Sequence, residues 1–164
     1  MAYKCILLNG PSSSGKSTLA KFLQTYIEQN KKEKYEIVSI DDYLKMSVDS
    51  SIEEDDVFEI SHYICERALE VLKADCGVII DHVITSERIY IQLLESLKEY
   101  NIIKVRVTCP LHELAKREME RKDRCVGSAE TSYKYLYPKE GYDLTVNTFT
   151  FSPEECSQKI YQYL

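Results

Sequence analysis

The sequence predicts an α/β fold in which helices cover both faces of a mostly parallel, five-stranded sheet. Apolar segments of strand length alternate with amphipathic helical segments along all 164 residues. Strands separated by helices have to be joined by crossover connections, which place neighbouring strands parallel. The length fits one domain covering residues 1–164. Ligands of such sheets bind beyond the carboxyl ends of the strands, so the polar residues that follow each strand are the candidates for function.

The individual elements follow from hydrophobic periodicity. Residues 3–9 form a short apolar run ended by Gly10, which is typical of a buried strand. Residues 16–29 place Leu19, Leu23 and Ile27 on one helical face. The same criteria predict further strands over residues 36–40, 77–81, 102–108 and 143–147, helices over residues 57–73, 86–100 and 110–121, a loop over residues 47–56, and a C-terminal helix that starts at a capping box in residues 152–155.

Composition and charge limit the class of protein. Hydrophobic residues make up 44% and charged residues 29% of the chain, as in an ordinary soluble protein. The formal net charge of −6 argues against a nucleic-acid binder. No apolar stretch approaches the roughly 20 residues that a membrane span requires. The six cysteines form no C-x-x-C pair and the three histidines are scattered, so we expect free thiols, no zinc site and a cytoplasmic location.

Residues 10–17, Gly-Pro-Ser-Ser-Ser-Gly-Lys-Ser, match the phosphate-loop motif G-x-x-x-x-G-K-[ST] in full. The motif follows a predicted strand and opens a predicted helix. Its glycines let the backbone curl round a phosphate, and the helix N-terminus adds positive charge. We therefore predict binding of ATP and Mg²⁺, with Lys16 at the β- and γ-phosphates and the Ser17 hydroxyl on the metal. The predicted nucleotide contacts in this segment are Gly10, Ser12, Ser13, Ser14, Gly15, Lys16, Ser17 and Thr18.

Three aspartates follow predicted strands at the same edge of the sheet as the phosphate loop. Asp41 and Asp42 come after the second strand, and Asp81 after the third. Phosphoryl transfer requires a metal held against the phosphates and a carboxylate that orients or accepts the proton of the acceptor hydroxyl. Asp41 is the better candidate for the base and Asp81 for the metal shell, although the two roles can be exchanged. The alternative for all three is that they only cap the segments that follow.

A basic segment lies between the fourth and fifth predicted strands. Its cations, which fall within nine residues of an acidic chain, are Lys116, Arg117, Arg121, Lys122 and Arg124. We predict a short basic lid over about residues 117–130. In it, Arg117 and Arg121 contact the nucleotide, while Arg121 and Arg124 stabilise charge on the transferring group. The alternative is a solvated helix face on which glutamates pair with these cations.

With these residues, the chain resembles the chloramphenicol phosphotransferase-like family of P-loop kinases, which are relatives of the shikimate and nucleotide kinases. Besides the phosphate loop, the family patterns I-I-D-D-V, V-x-C…R-E…R-x-D-R-x-x-G and Y-D-x-x-V-D-T are similar to residues 79–83, 107–127 and 142–148. The resemblance implies the three-layer P-loop NTPase fold and transfer of the γ-phosphoryl group of ATP to a hydroxyl. Asp41 takes the place of the presumed base, Lys16 and Ser17 hold nucleotide and metal, and the lid contains Arg121 and Arg124.

The chain departs from the family pattern where the acceptor would bind. The segment between Asp41 and residue 57 is shorter than in the antibiotic kinase, Tyr137 stands where a histidine is usual, and Asn147 replaces a second aspartate. The resemblance therefore supports the type of reaction more strongly than it identifies the substrate. The aromatic run Tyr133, Tyr135 and Tyr137 is a candidate wall of the acceptor pocket, with core or surface packing as the alternative.

We expect a kinase for a small-molecule hydroxyl acceptor, of unspecified identity and oligomeric state. A nucleoside or nucleotide kinase is the first alternative, because only its acceptor would differ. The second is a non-catalytic, nucleotide-binding regulatory module, which would keep the phosphate loop without needing carboxylates or a lid. A GTPase is not expected, since no strand is followed by an N-K-x-D motif.

Overall fold

The computed structural model of the chain describes residues 4–44, 53–122 and 125–164. Its strands are β1 (Cys5–Asn9), β2 (Tyr35–Ser39), β3 (Gly77–His82), β4 (Ile102–Thr108) and β5 (Leu144–Asn147). Its helices are α1 (Lys16–Lys31), α2 (Ile40–Leu44), α3 (Glu54–Lys73), α4 (Glu87–Ser96), α5 (Leu111–Glu120), α6 (Ser128–Tyr135) and α7 (Pro153–Tyr161).

The five strands form one parallel sheet in the order β2-β3-β1-β4-β5. This arrangement confirms the predicted α/β fold. The register sets Leu8 of β1 opposite Asp81 of β3, and Asp81 opposite Ser39 of β2. The carboxyl ends of β1, β2 and β3 therefore lie side by side, which brings the residues after these strands to one edge.

Two apolar layers flank the sheet, because successive side chains of each strand point to opposite faces. Ile6 and Leu8 of β1 pack with residues of α1 and α7, while Cys5 and Leu7 pack with residues of α3 and α4. All four side chains are fully buried. The strand that leads into the phosphate loop is thus covered on both sides, which fixes the start of the loop.

Three features of the helices differ from what the hydrophobic periodicity predicts. The predicted loop over residues 47–56 is wrong at its end, since α3 already begins at Glu54. Its acidic first turn is favourable because a helix N-terminus carries partial positive charge, and the Glu53 amide donates to Asp56 at 3.0 Å in a capping box. The short helices α2 and α6 were not predicted, since so few turns give little periodic signal. Helix α4 ends at Ser96, before the predicted position 100.

Two expectations based on composition can be compared directly with the structure. All six cysteines are free thiols, and four of them, Cys5, Cys65, Cys109 and Cys156, are buried. Within the described ranges, each helix is too short or too polar to cross a lipid bilayer.

Candidate active site

The phosphate loop connects β1 to α1 at the centre of the sheet. Gly15 has φ 85° and Ser13 has φ 67°, so the chain enters the left-handed region twice within three residues. Gly15 adopts this conformation without strain because it lacks a Cβ atom. The first hydrogen bond of the helix runs from the Leu19 amide to the Gly15 carbonyl at 2.9 Å. The amides that precede it at the helix N-terminus are therefore available to an anion.

Gly10 has a packing role in the loop. A Cβ atom added there would lie 2.5 Å from the carbonyl oxygen of Val107 and 3.1 Å from Ser14 Oγ. Only glycine allows β1 to leave the sheet this close to β4. The first glycine of the motif thus sets the position of the loop against its neighbouring strand.

Lys16 is held inside the loop. Its side chain is only 5% exposed, and Nζ donates to the Pro11 carbonyl at 2.7 Å and to Ser14 Oγ at 3.4 Å. Both of these acceptors are neutral oxygens of the loop itself. An anionic phosphate in the loop would compete well for this cation.

Two buried hydroxyls of the loop support an anion ligand. Ser12 Oγ and Ser13 Oγ are buried without a hydrogen-bond partner in the described part of the chain. Orphaned polar groups are costly in a protein interior unless a ligand or water satisfies them. Both residues line the cavity next to the loop. The donors here fit the phosphate groups of a nucleotide.

Asp81 stands at the end of β3, beside the start of α1. Its side chain is 2% exposed, and Oδ2 accepts hydrogen bonds from Ser17 Oγ at 2.8 Å and from Ser39 Oγ at 3.1 Å. A serine hydroxyl and a carboxylate are the hard oxygen ligands that Mg²⁺ takes together with phosphate oxygens. No cluster of three or more metal-binding side chains occurs in the residues that the structure covers. The pair Ser17 and Asp81 therefore fits a metal that is held mainly by a nucleotide.

Asp41 lies in the first turn of α2, immediately after β2. It lines the same cavity as Lys16 and Asp81, and it is half-buried. Its neighbour Asp42 is exposed and lines a different depression, next to Tyr43. The two adjacent aspartates thus face different depressions, and Asp41, the predicted base, is the one that lines the cavity with Lys16.

The lid side of the cavity is formed by α5. Arg117 forms an ion pair with Glu113 at 3.2 Å, and its two Nη atoms donate to Oγ1 and the carbonyl of Thr148 at 3.3 and 3.1 Å. Thr148 Oγ1 in turn donates to the Ser14 carbonyl at 2.6 Å. Arg117 is therefore tied to the phosphate loop through one threonine. Arg121 also lines the cavity.

The cavity has a volume of about 490 Å³, enough for part of a nucleotide. Ten of the candidate residues line it, namely Ser12, Ser13, Gly15, Lys16, Ser17, Thr18, Asp41, Asp81, Arg117 and Arg121. Gly10 and Ser14 lie in the loop but do not line the cavity, and Arg124 lies outside the described residues. Sequence reasoning missed the other lining residues, which are Leu19, Ile40, Val83, Glu120, Thr148 and Pro153.

None of the three tyrosines of the aromatic run lines this cavity. Tyr137 donates from its hydroxyl to Glu87 at 3.2 Å and packs edge-on against Tyr90. Tyr133 lines a second cavity, and Tyr135 is exposed under the ammonium group of Lys134. The run therefore belongs to packing and to another surface.

Two buried polar residues behind the loop were also missed. Asn9, which is fully buried, accepts from the Ile84 amide and donates to the Tyr137 carbonyl and to the Tyr142 hydroxyl, each at 2.9 Å. His82 is fully buried with Nε2 3.2 Å from Ser61 Oγ. Burial, and to a smaller extent the charge of Lys16, lowers the pKa of His82 to about 4. The only sign of Asn9 and His82 in the sequence was that each is a polar residue at the end of an apolar strand.

Comparisons with known proteins agree with this geometry. The model of the chloramphenicol phosphotransferase-like protein family matches residues 3–164. No curated protein matches the sequence significantly. Among solved structures, the Mycobacterium tuberculosis APS kinase CysC, in complex with AMPPNP and APS, has 17% identity and a TM-score of 0.81 over 98% of this chain and 96% of that one.

Two further solved structures share the arrangement. A sugar kinase from Janibacter sp. HTCC2649 has 14% identity and a TM-score of 0.76, covering 98% of this chain and 94% of that one. A gluconokinase from Sinorhizobium meliloti 1021 has 19% identity and a TM-score of 0.63, covering 97% of this chain and 96% of that one. At these identities the likeness shows a shared fold, that of P-loop kinases.

Proposed function

The chain belongs to the chloramphenicol phosphotransferase-like family, and from its site we propose that it transfers the γ-phosphoryl group of ATP to a hydroxyl of a small molecule. The observation that carries the proposal is a single cavity lined by Lys16, Asp81 and Asp41. Phosphoryl transfer requires an anion cradle, a metal-side oxygen and an acceptor-side carboxylate within reach of one another. These three residues supply one group of each kind.

The phosphate loop and Asp81 would hold the nucleotide and Mg²⁺. The loop amides, the Ser12 and Ser13 hydroxyls and Lys16 are the donors for phosphate oxygens. Ser17 and Asp81 would contribute oxygens to the metal shell, and the metal would supply Lewis-acid stabilisation of phosphate charge. The hydrogen bond from Ser17 Oγ to Asp81 Oδ2 keeps these two oxygens 2.8 Å apart.

Asp41 would orient the acceptor hydroxyl and accept its proton. Its position in α2, just after β2, and its partial exposure set it apart from Asp81, which is buried at the end of β3. A carboxylate that remains half-exposed on the cavity wall can meet a diffusing substrate. This difference in setting favours Asp41 over Asp81 as the base.

Arginines of the lid would stabilise charge on the transferring group. Arg117 of α5 and Arg121, which directly follows α5, both line the cavity. Guanidinium groups form bidentate hydrogen bonds with phosphate oxygens. These bonds stabilise negative charge more strongly when water is excluded from the site. We include Arg124 in this role on the resemblance alone.

The first experiment measures ATP consumption with a panel of hydroxyl compounds: amino alcohols, sugars, chloramphenicol, nucleosides and nucleoside monophosphates. We expect slow hydrolysis alone and a rise of about 100-fold or more with one class of acceptor. A rise only with nucleosides or monophosphates would establish the nucleoside or nucleotide kinase alternative. Nucleotide binding without stimulation by any compound, under conditions where Lys16→Ala abolishes binding, would favour the regulatory module.

The second experiment compares Asp41→Asn with Asp42→Asn. Because an amide cannot accept the proton, Asp41→Asn should lower kcat about 100- to 1,000-fold while nucleotide affinity stays within about threefold. Asp42 carries the same charge one residue away but lines a different depression, so Asp42→Asn should retain activity within about twofold. Equal kcat values for Asp41→Asn and the unmodified chain would remove Asp41 from the mechanism.

A further inference from the structure

A second cavity of about 420 Å³ lies between β4, β5 and α6, and it shares no lining residue with the first. Pro11 of the phosphate loop forms one wall, and Tyr133 and Leu136 of the α6 region form another. Arg106 of β4 and Lys139 lie at its polar end. The cavity therefore adjoins the phosphate loop without belonging to the nucleotide site.

Among the residues that the structure describes, two cations and no acidic side chain line this cavity. Arg106 Nη1 donates to the Lys139 carbonyl at 3.2 Å, and Lys139 Nζ donates to the Lys134 carbonyl at 2.8 Å. In the described part of the chain, neither forms an ion pair. By contrast, Arg67, Arg88 and Arg117 each pair with a carboxylate. The charge of this pair is thus uncompensated in a chain whose net charge is −6.

Further hydrogen-bond donors line the same cavity. Arg106 Nε is buried without a hydrogen-bond partner in the residues described. Asn147 uses its side-chain oxygen to accept from the amides of Phe149 and Thr150, at 2.9 and 3.2 Å. Its amide nitrogen is then the end that remains for a ligand. An orphaned guanidinium nitrogen beside a second cation and an amide donor is a set that suits an oxyanion.

Apart from Thr108, the other described residues of the cavity wall are mainly apolar. Pro110, Cys109 and Leu136 line it, and the ring of Tyr133 is 47% exposed beside them. A half-exposed aromatic ring next to donor groups provides a surface on which a flat apolar body can pack. The ligand class therefore combines one oxyanion group with an apolar, preferably aromatic, portion.

We propose that this cavity is a binding site for a small organic oxyanion, separate from the nucleotide site. Arg106 binds the anionic group, Lys139 and Asn147 assist, and Tyr133 packs against the apolar body. The site touches the phosphate loop at Pro11, whose carbonyl holds Lys16. A ligand here would therefore lie one residue away from the groups that bind phosphate.

The test is an NMR titration of the full chain, saturated with AMPPNP and Mg²⁺ so that the phosphate loop is filled. The probe is phenyl phosphate, and the neutral comparison is benzyl alcohol. We expect saturable shifts of the amide signals of Tyr133, Lys139 and Asn147 with phenyl phosphate only. Equal shifts with benzyl alcohol, or shifts confined to residues around Asp41 and Asp81, would overturn the proposal.

Three variants test whether Arg106 and Lys139 bind the anionic group. Arg106→Met should raise the dissociation constant of phenyl phosphate about tenfold or more, because the charge-assisted bonds are lost. Lys104→Met removes one positive charge from the same face of β4 without touching the cavity, and it should change the constant less than about twofold. Lys139→Ala alters only an exposed side chain, so a weaker affinity in that variant supports the site even if Arg106→Met fails to fold. Unchanged affinity in Lys139→Ala together with unchanged affinity in any folded Arg106 variant would refute it.

Discussion

The two sides of the nucleotide cavity are built in different ways. The sheet side, meaning the phosphate loop together with Asp81, is joined by several hydrogen bonds: the buried Asp81 carboxylate accepts from Ser17 and Ser39, and the buried Lys16 ammonium donates to Pro11 and Ser14. The lid side, meaning α5 and α6, is joined to the loop through single side chains. Arg117 reaches it through Thr148, and Ser132 accepts from the Ser12 amide at 2.9 Å. The sheet side is therefore preorganised, whereas the lid side depends on a few replaceable contacts.

The comparison assigns the largest catalytic loss to the sheet side. Asp81→Asn removes the negative charge that the proposed metal shell requires but keeps an oxygen for Ser17 and Ser39. We expect kcat to fall about 100-fold or more, with a higher Mg²⁺ requirement, in assays at varied Mg²⁺ concentration. Ser39→Ala is the control, because it removes one bond to Asp81 outside the cavity, and its activity should stay within about threefold. Losses of similar size in both variants would make Asp81 a structural residue.

This contrast also explains how much the sequence could predict. The phosphate loop is a contiguous motif, and Asp81 is a polar residue near the end of a strand whose place beside β1 is typical of the fold, so both could be predicted. Thr148 and Ser132 were not, because their roles depend on which backbone atoms lie 134 and 120 residues away in the chain. The surface that the three tyrosines line could not be predicted for the same reason, because residue order alone does not give the direction of a side chain. Local motifs predict the sheet side, and tertiary packing decides the lid side.

The next prediction concerns the stability of the sheet side as the pH changes. His82 is buried beside it with a pKa lowered to about 4, whereas an unfolded histidine titrates near about 6.5. Between these values only the unfolded state binds the proton, so the free energy of unfolding decreases as the pH falls. The decrease from this residue is at most about 3 kcal/mol. Urea unfolding at pH 7 and pH 4.5 should show a smaller decrease in His82→Gln.

His62→Gln is the matched control for this measurement. His62 is exposed at its site on α3, with Nε2 3.4 Å from Glu66. Its variant should therefore keep the pH dependence of the unmodified chain. If His82→Gln loses as much stability between the two pH values as His62→Gln does, protonation of the buried imidazole does not contribute to the pH dependence of stability.

A smaller effect is expected for the anchor of the lid side. Glu118 is 7% exposed, and its two oxygens accept from the amides of Gly127 and Ala129 at 3.0 and 2.8 Å, at the start of α6. Glu118→Gln keeps one acceptor and loses the charge that favours a helix N-terminus. We expect a loss of about 1 to 2 kcal/mol in urea unfolding. Glu130→Gln removes a charge from the same first turn at an exposed position, and a comparable loss there would contradict the hydrogen-bonding explanation.

The smallest effect comes from the link between α6 and the phosphate loop. Ser132→Ala leaves the Ser12 amide without its acceptor, and the loop then holds its phosphate-binding shape less firmly. The loss of one such bond, about 1 kcal/mol, corresponds to roughly fivefold weaker nucleotide binding by calorimetry. Ser157 offers a matched control, because in the described part of the chain this buried serine hydroxyl bonds only to the Pro153 carbonyl, at 2.7 Å within α7. If Ser157→Ala weakens binding as much as Ser132→Ala, the effect is one of general stability, and the lid side makes no specific contribution to the loop.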